Sequence, residues 1–147
     1  MPIDWILIGS SLVSCIAIVL SIYTYYKSAV EQTYADLDHL YMNLLSMGME
    51  HPQFLNPRFT AHYPEAFASE DDQFRYSAYA YIAWNICEAI FDRSHKNPQL
   101  LETWLPVIDA ENRLHRVWFD RAENQHKFKQ AFRDFVHTQF PPSETTI

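Results

Sequence analysis

The sequence predicts an all-α fold in which one N-terminal transmembrane helix continues into an antiparallel bundle of about four helical segments. Residues 5–26 carry no charge, and the later segments repeat apolar residues at the three- and four-residue spacing of a helix. The 147 residues include only two glycines, Gly9 and Gly48, and 16% of them are aromatic. Because tight turns and phosphate-binding loops depend on glycine, this composition favours long helices and excludes Gly-rich nucleotide-binding motifs.

The uncharged run at 5–26 is long enough to cross a membrane as a helix. Its 22 residues rise about 33 Å in a helix, and the hydrocarbon core of a bilayer is about 30 Å thick. Residues that favour the headgroup region flank the run: Trp5, Tyr23, Tyr25, Tyr26 and Lys27. We therefore expect an uncleaved membrane anchor at 1–27 that contacts the lipid bilayer through 5–26.

Two other interpretations of the run are a cleaved signal peptide and a buried core helix. A signal peptide begins with basic residues and has an apolar core of about 7–15 residues, whereas no Lys or Arg precedes this longer run. Residues 12–15 resemble a lipoprotein cleavage site, but the residues after Cys15 stay apolar. A small core does not need 22 uncharged residues, so the anchor is the favoured interpretation.

The charges and the cysteines of the sequence indicate on which side of the membrane the domain lies and which kinds of partner it does not bind. Lys27 follows the run and no basic residue precedes it, so the positive-inside rule places the rest of the chain in the cytoplasm, with the periplasm as the alternative. Cys15 lies in the run and Cys87 in a predicted buried helix, so neither is placed for a disulfide. The net charge of −7 and the lack of a basic stripe argue against nucleic acid as a partner.

The helix that begins in the membrane is predicted to continue to about residue 49, into a helical bundle domain at 28–140. Apolar residues recur there at intervals of four and three: Val30, Tyr34, Leu37, Tyr41 and Leu44. This spacing is typical of a seam packed against another helix. The other helix can belong to the same chain or to a second copy, so the seam also predicts a homodimer as an alternative.

Prolines at 52, 57 and 64 end this helix and predict an ordered loop over 50–69 that packs across the helices. Ser69 and the three acidic residues after it predict the start of a second helix, which runs to 92 or 95. That helix is apolar on nearly every side, so it is either the central helix of the domain or carries an aromatic flank that meets a partner. The partner-facing flank would comprise Tyr76, Tyr79, Tyr81 and Trp84.

Two further helices complete the predicted bundle. Asn97 and Pro98 predict the start of one, and Pro106 is expected to kink or split it. The last helix is predicted from the helical spacing of apolar residues over 114–136, and residues 141–147 are expected to form a disordered tail.

Several acid–histidine pairs have the spacing of residues on one helix face, among them Asp36 with His39, Glu123 with His126 and Glu111 with His115. Glu123 and His126 form the Glu-x-x-His pattern of di-iron bundles, which need a second such pair and two more carboxylates, so a solvated surface is the favoured interpretation. Glu111 and His115 have the i, i+4 spacing that is common for acid–base pairs on helix surfaces. A metal site is therefore a weak prediction at Glu123 and His126 only.

Glu88 is the one acidic residue between Ser77 and Asp92 in the most apolar predicted helix, where an ionised carboxylate needs a partner. We expect an ion pair with Arg113 or Arg116, and a catalytic acid is the alternative. The sequence offers no matching base or nucleophile at a recognisable spacing, so no catalytic residue and no cofactor is predicted.

Two stretches give the chain a resemblance to a family. Residues 41–52 have the sequence Tyr-Met-Asn-Leu-Leu-Ser-Met-Gly-Met-Glu-His-Pro, and 104–135 contain Trp-x-x-x-Ile from Trp104 and Phe-x-x-x-Phe-x-x-Phe from Phe128. With the N-terminal run, they resemble small uncharacterised bacterial single-pass membrane proteins that have a C-terminal helical domain. The resemblance implies the membrane topology and the helical fold, and it assigns no chemistry to named residues.

The anchor, the aromatic-rich bundle and the lack of a recognisable reactive site predict a non-catalytic, membrane-anchored accessory or scaffolding subunit. It would bind and stabilise a larger membrane protein complex, with respiratory and photosynthetic complexes as candidates. The first alternative is a membrane-tethered signalling or regulatory adaptor that acts by homodimerisation. The second is a helical-bundle metal protein or enzyme that uses Glu123 and His126.

Overall fold

A computed structural model describes residues 5–95 and 97–141, with side chains described in the first helix at residue 9 and from residue 13 onward. The described residues form helices and contain no strand, which confirms the all-α fold. The side chain of Trp5, predicted to flank the membrane, lies outside the described residues. Residues 142–147 of the predicted tail also lie outside them.

Six α-helices and one 3₁₀ turn account for most of the described chain. In chain order they are α1 (Trp5–Glu50), the 3₁₀ turn (Pro52–Leu55), α2 (Pro57–Thr60), α3 (Glu70–Ser94), α4 (Pro98–Phe119), α5 (Ala122–Gln125) and α6 (Gln130–Gln139). The single helix predicted over about 4–49 is confirmed as α1. The predicted start of α3 is also confirmed, because the Ser69 hydroxyl accepts a hydrogen bond from the Asp72 amide at 3.1 Å.

The chain divides into two compact units, and the division falls inside α1 between Asp38 and His39. The first unit is the N-terminal part of α1, in which the described side chains at 13–32 are all exposed. The second unit contains the rest of the chain and its hydrophobic core.

The core of the second unit is built on the packing of α3 against α4, with α6 contacting α3. Helix α3 ends at Ser94 and α4 begins at Pro98, and so short a separation in sequence favours antiparallel neighbours. Large side chains fill the space between them, including fully buried Trp84, Ile90, Ile108 and Trp118. The core is rich in ring contacts, such as Trp84 with Phe119 at a centroid distance of 4.2 Å.

The loop over 50–69 packs on the helices, as predicted. It forms the 3₁₀ turn and α2, and its Phe54 and Phe67 side chains are only 2% and 6% exposed. The ring of Phe67 stacks on Tyr76 of α3 at a centroid distance of 4.7 Å, and Phe54 lies 5.6 Å from the same ring. The loop therefore closes one side of the aromatic core.

The second half of the chain differs from the prediction in two places. Helix α4 contains Pro106 in its interior, which excludes the predicted split at this residue and leaves the alternative of a kink as a prediction. Trp104 and Ile108 are buried on both sides of the proline and hold one continuous face. The predicted last helix is instead interrupted at 120–129. A continuous helix would separate Phe119 from Phe132 by about 20 Å. The interruption brings the ring centroids of Phe119 and Phe132 to 6.2 Å from each other. Packing of these aromatic rings therefore accounts for the break in the helix.

Candidate functional site

The N-terminal part of α1 presents an uncovered apolar surface. Within Val13–Glu50, the most apolar 18-residue window has a mean hydropathy of 1.4, and none of that window is buried. Val13, Val19 and Leu20 are 67%, 65% and 59% exposed. The helix is long and apolar enough to cross a membrane, a property that a signal sequence shares. Because a core helix would be mostly buried, the exposure disfavours the core-helix interpretation.

A second uncovered apolar surface lies in the second unit, between the end of α1 and one face of α3. It is an open depression of about 460 Å³. The residues that form its walls include Leu40, Asn43 and Met47 of α1 and Tyr81, Ile82 and Ala89 of α3. Leu40, Tyr81 and Ile82 are 43%, 41% and 38% exposed, so apolar side chains face the opening.

A smaller depression of about 320 Å³ continues this surface, since both are lined by Met47 and Ile82. It extends to Glu50 of α1 and to Phe74 and Arg75 at the start of α3. Phe74 is 74% exposed, an unusual position for a phenylalanine. We name the two depressions together the α1–α3 groove.

The predicted partner-facing aromatic flank is largely inside the core. Tyr76 and Trp84 are 0% exposed and Tyr79 is 4% exposed, so the prediction that they face a partner is wrong. Trp84 donates a hydrogen bond from Nε1 to the His115 carbonyl at 3.2 Å, which fixes it between α3 and α4. Only Tyr81 of the four lies at the surface, where it lines the α1–α3 groove.

The predicted packing seam of α1 changes character along its length. Val30 is 42% exposed and Tyr34 is half-buried, whereas Leu37 and Leu44 are 0% exposed in a single chain. Tyr41 is half-buried, and its ring meets Trp104 edge-to-face at 5.9 Å. The C-terminal half of the seam is therefore covered without a second copy.

A buried polar centre joins α1, α3 and α4. Glu111 and His115 of α4 are 2% and 0% exposed. Tyr41 of α1 donates a hydrogen bond to Glu111 Oε1 at 3.2 Å, and the Tyr76 hydroxyl of α3 is hydrogen-bonded to His115 Nδ1 at 3.0 Å. Glu111 Oε2 and His115 Nε2 lie 3.4 Å apart. The centre thus connects three helices through one acid–histidine pair.

The interpretation of Glu111 and His115 as a surface pair is wrong. The signal that could have found their burial is the periodicity of α4, where both stand on the stripe of large apolar residues. The stripe has spacings of four and three and comprises Trp104, Ile108, Glu111, His115 and Trp118. Because Glu111 and His115 are ionisable, they were expected at the surface, but their position on the apolar stripe places them in the core.

Several atoms of the polar centre lack a hydrogen-bond partner among the described residues: the Tyr79 hydroxyl, Glu111 Oε2 and His115 Nε2. The 3.4 Å separation within the acid–histidine pair is longer than a well-formed hydrogen bond. Buried polar atoms in this state are costly, so the pair is held in place by the surrounding packing.

Burial controls the titration of the groups around Glu111. Desolvation, followed by the Glu111 carboxylate, raises the pKa of Tyr41 to about 12 and also raises the pKa of the Tyr79 hydroxyl. Desolvation raises the pKa of Tyr76, followed by its neighbours Tyr63 and Tyr79 and then by Glu111. Desolvation, followed by Glu111, also raises the pKa of the fully buried Cys87 thiol. These groups stay protonated near neutral pH, which leaves them weak as nucleophiles.

The weak metal candidates are not assembled into a site. Glu123 and His126 are exposed on and just after α5, and Glu123 pairs with Arg121, which lowers the pKa of that carboxyl through a hydrogen bond. Across 5–95 and 97–141, no three His, Cys, Asp or Glu side chains are grouped so that they could hold a metal ion. The metal prediction therefore gains no geometric support.

Glu88 has a different partner from the arginines predicted for it. Its Oε1 accepts a hydrogen bond from the Lys129 backbone amide at 2.8 Å, at the N-terminal cap of α6. Arg113 pairs with Asp109, and Arg116 pairs with Asp120. Glu88 is half-buried and holds the start of α6 against α3, which is a structural role.

Comparison with protein-family models, with curated proteins and with solved structures finds no match. The resemblance to small bacterial single-pass membrane proteins stays a prediction. The functional argument therefore depends on the two uncovered apolar surfaces and on the chemistry around them.

Proposed function

We propose that this chain is a membrane-anchored helical protein that binds another membrane protein, as an accessory or scaffolding subunit of a larger complex. The observation that carries the proposal is that apolar side chains are uncovered on two separate surfaces, the helix face at 13–26 and the α1–α3 groove. Soluble monomers rarely leave such surfaces in water. A bilayer covers the first surface in this proposal, and a protein partner covers the second.

Local hydrogen bonding supports a lipid environment for the first surface. The Ser21 hydroxyl donates to the Ala17 carbonyl and the Thr24 hydroxyl donates to the Leu20 carbonyl, each at 2.8 Å. Hydroxyls satisfied within their own helix do not need water, so they are tolerated in a bilayer. Lys27 follows this segment and favours a cytoplasmic location for the bulk domain.

Two other functions have less support. A homodimeric adaptor was expected to use the α1 seam, but Leu37 and Leu44 are fully buried in one chain and cannot offer a new contact without rearrangement. A metal protein or enzyme would use Glu123 and His126, which are exposed and are not joined by a third ligand among the described residues.

The membrane part of the proposal is tested by a charge placed in the apolar segment. Val19 and Met49 are 65% and 68% exposed, so a lysine at either position is tolerated by the fold. A lysine at the bilayer centre costs about 3 kcal/mol, so Val19→Lys should move much of the protein out of the membrane fraction in flotation gradients. Met49→Lys is the matched control and should float like the wild type.

The partner part of the proposal is tested by purification of the full chain from its native membranes in mild detergent. We expect another membrane protein to co-purify in a fixed molar ratio. A chain that sediments as a monomer from membranes at its natural abundance would contradict the accessory-subunit proposal. Wild-type protein that remains in the supernatant without detergent would contradict the anchor.

A further inference from the structure

The buried polar centre contains two groups whose charge can change near neutral pH, Glu111 and His115. The other titratable groups close to this pair lie on α1 and α3, and burial raises the pKa of each, so they stay neutral: Tyr41, Tyr76, Tyr79 and Cys87. Behind Tyr76, the 50–69 loop adds the ring of Tyr63 at a centroid distance of 5.1 Å. A change of charge in the centre therefore comes from the pair itself.

No charged side chain of a neighbouring element compensates a charge on this pair. Every acidic or basic residue of 39–50, of α2 and of α3 is exposed or half-buried at the surface, as Arg58 and Arg75 are. On α4 itself, Arg113 is paired with Asp109, and Arg116 is paired with Asp120. The pair thus has to be neutral within itself if the core is to stay free of an uncompensated charge.

The net charge of the pair depends on the number of titratable protons that it holds. Without a proton, it is an ionised carboxylate beside a neutral imidazole and has one negative charge. With one proton it has no net charge, whichever of the two side chains carries the proton, and with two it has one positive charge. Because a buried charge without a counter-charge is costly, the closed core favours the pair with one proton.

Tyr41 connects the pair to the end of α1, at 39–50. Its hydroxyl donates a hydrogen bond to Glu111 Oε1 at 3.2 Å, and its side chain is half-buried, whereas Glu111, His115 and Tyr76 are at most 2% exposed. Helix α1 also packs less extensively against the bundle than α3 and α4 pack against each other. Water therefore reaches the pair when the end of α1 separates from α4 at Tyr41.

We infer that the Glu111–His115 pair is a proton-controlled latch, which holds one proton in the closed bundle and releases the end of α1 from α4 when that proton is lost at higher pH. In the opened or unfolded chain, an exposed glutamate and an exposed histidine lose their protons near about pH 4.3 and 6.5.

The direction of the pH dependence follows from the number of protons in each state. Above about pH 6.5 the closed state holds one proton and the open state holds none, so the stability of the closed state falls as the pH rises. Below about pH 4.3 the open state holds two protons and the closed state holds one, so the stability falls as the pH decreases. Between these values the latch adds no pH dependence.

The first test is urea unfolding of the full chain in mild detergent, followed by tryptophan fluorescence over a pH series. Above about pH 6.5, the unfolding equilibrium constant of the wild type should rise about tenfold per pH unit relative to that of Glu111→Leu with His115→Leu, which has no titratable pair. His39→Gln is the matched control, because it removes an exposed histidine from the end of α1. It should keep the wild-type profile.

The single variants distinguish the latch from a structural role of the same residues. In Glu111→Gln the centre is neutral only when His115 has no charge, so stability should fall as the pH decreases through about 6.5, opposite to the wild type. In His115→Gln the closed core favours a protonated Glu111, so stability should fall as the pH rises above about 4.3.

The second test uses the wild type alone and therefore gives a result even if the variants fold poorly. Hydrogen exchange by mass spectrometry, corrected for the intrinsic exchange rate of each amide, should show protection of 39–50 that falls about tenfold per pH unit above about pH 6.5. Protection of 39–50 should also be lower than that of α3 and α4 at each pH.

A wild-type profile parallel to that of the double leucine variant would overturn the latch. A Glu111→Gln profile with the sign of the wild type, or a changed profile in His39→Gln, would do the same. Corrected protection of 39–50 that is independent of pH, or as strong as that of α3 and α4, would overturn the release of α1.

Discussion

Removal of His115 should destabilise the bundle far more than removal of a surface residue on the same helix. His115 is 0% exposed, and it is the link between Glu111 of α4 and Tyr76 of α3. In His115→Ala, the Glu111 carboxylate and the Tyr76 hydroxyl each lose a buried neighbour and a void remains between them. Neither group can reach water without opening the core.

The magnitude follows from the burial of the pair. Leaving the buried Tyr76 hydroxyl without its partner and opening a void the size of an imidazole ring together cost about 3–5 kcal/mol, a large share of the roughly 5–15 kcal/mol that stabilises a domain. For a domain of this size, 1 kcal/mol corresponds to about 4 °C in the unfolding midpoint, so His115→Ala should lower Tm by roughly 12–20 °C.

The assay is thermal unfolding of the full chain in mild detergent, followed by tryptophan fluorescence. Trp84 and Trp118 are fully buried in the bundle, so their emission reports loss of this core. The matched control is Arg113→Ala, which breaks another i, i+4 pair on α4. The Arg113 side chain is 76% exposed, and such a surface pair contributes at most about 1 kcal/mol.

A double variant separates the pair from its surroundings. Glu111→Leu with His115→Leu replaces both members by apolar groups, so neither polar group is left buried without the other. It should be less destabilised than the sum of the single variants Glu111→Leu and His115→Leu, with a coupling of about 0.5–3 kcal/mol. If His115→Ala and Arg113→Ala shift Tm equally, or if the single effects simply add, the polar centre does not stabilise the bundle in the way argued.

Other features lead to shorter predictions. Gly48→Ala should lower the free energy of unfolding by about 1–2 kcal/mol, because a Cβ at this position would lie 2.8 Å from the Tyr79 hydroxyl. Gly9→Ala is the control and should leave the stability of the bundle unchanged, because nothing lies within 4 Å of a Cβ at that position. Burial raises the pKa of Tyr41 above its usual 10.0 to about 12. The stability that the protonated Tyr41 hydroxyl contributes should therefore be complete below pH 10 and should fall as the pH rises through about 12. Tyr41→Phe should flatten this part of a profile of Tm against pH. Glu88→Ala should cost about 1 kcal/mol and speed amide exchange at the start of α6, and unchanged exchange there would show that this carboxylate does not cap the helix.

Features that depend on neighbouring residues in the sequence were predictable. The extent of α1, the packed loop after Pro52 and the start of α3 at Ser69 all follow from local chemistry, namely apolar spacing, missing proline donors and a capping hydroxyl. The continuity of α4 through Pro106 was not predictable in this way, because it depends on burial of Trp104 and Ile108 by residues distant in sequence.

The candidate site was predicted less well than the fold. The uncharged helix could be predicted because hydropathy depends only on the composition of the segment. The α1–α3 groove and the Glu111–His115 centre were not found, because each is formed by side chains from helices that are separated in the sequence. Periodicity along α4 contained the signal for the buried pair, but the ordinary expectation that charged residues are exposed outweighed it.

The amino-acid order alone sets where helices form in this chain and which helix can enter a membrane, since both follow from spacing and charge over a few turns. It does not set which side of α3 is covered, because that helix is apolar nearly all the way round and has no polar face to orient it. That side is set in the tertiary structure, where α4, the 50–69 loop and the end of α1 pack against α3. It places Tyr76, Tyr79 and Trp84 in the core and leaves Phe74 and Ile82 exposed.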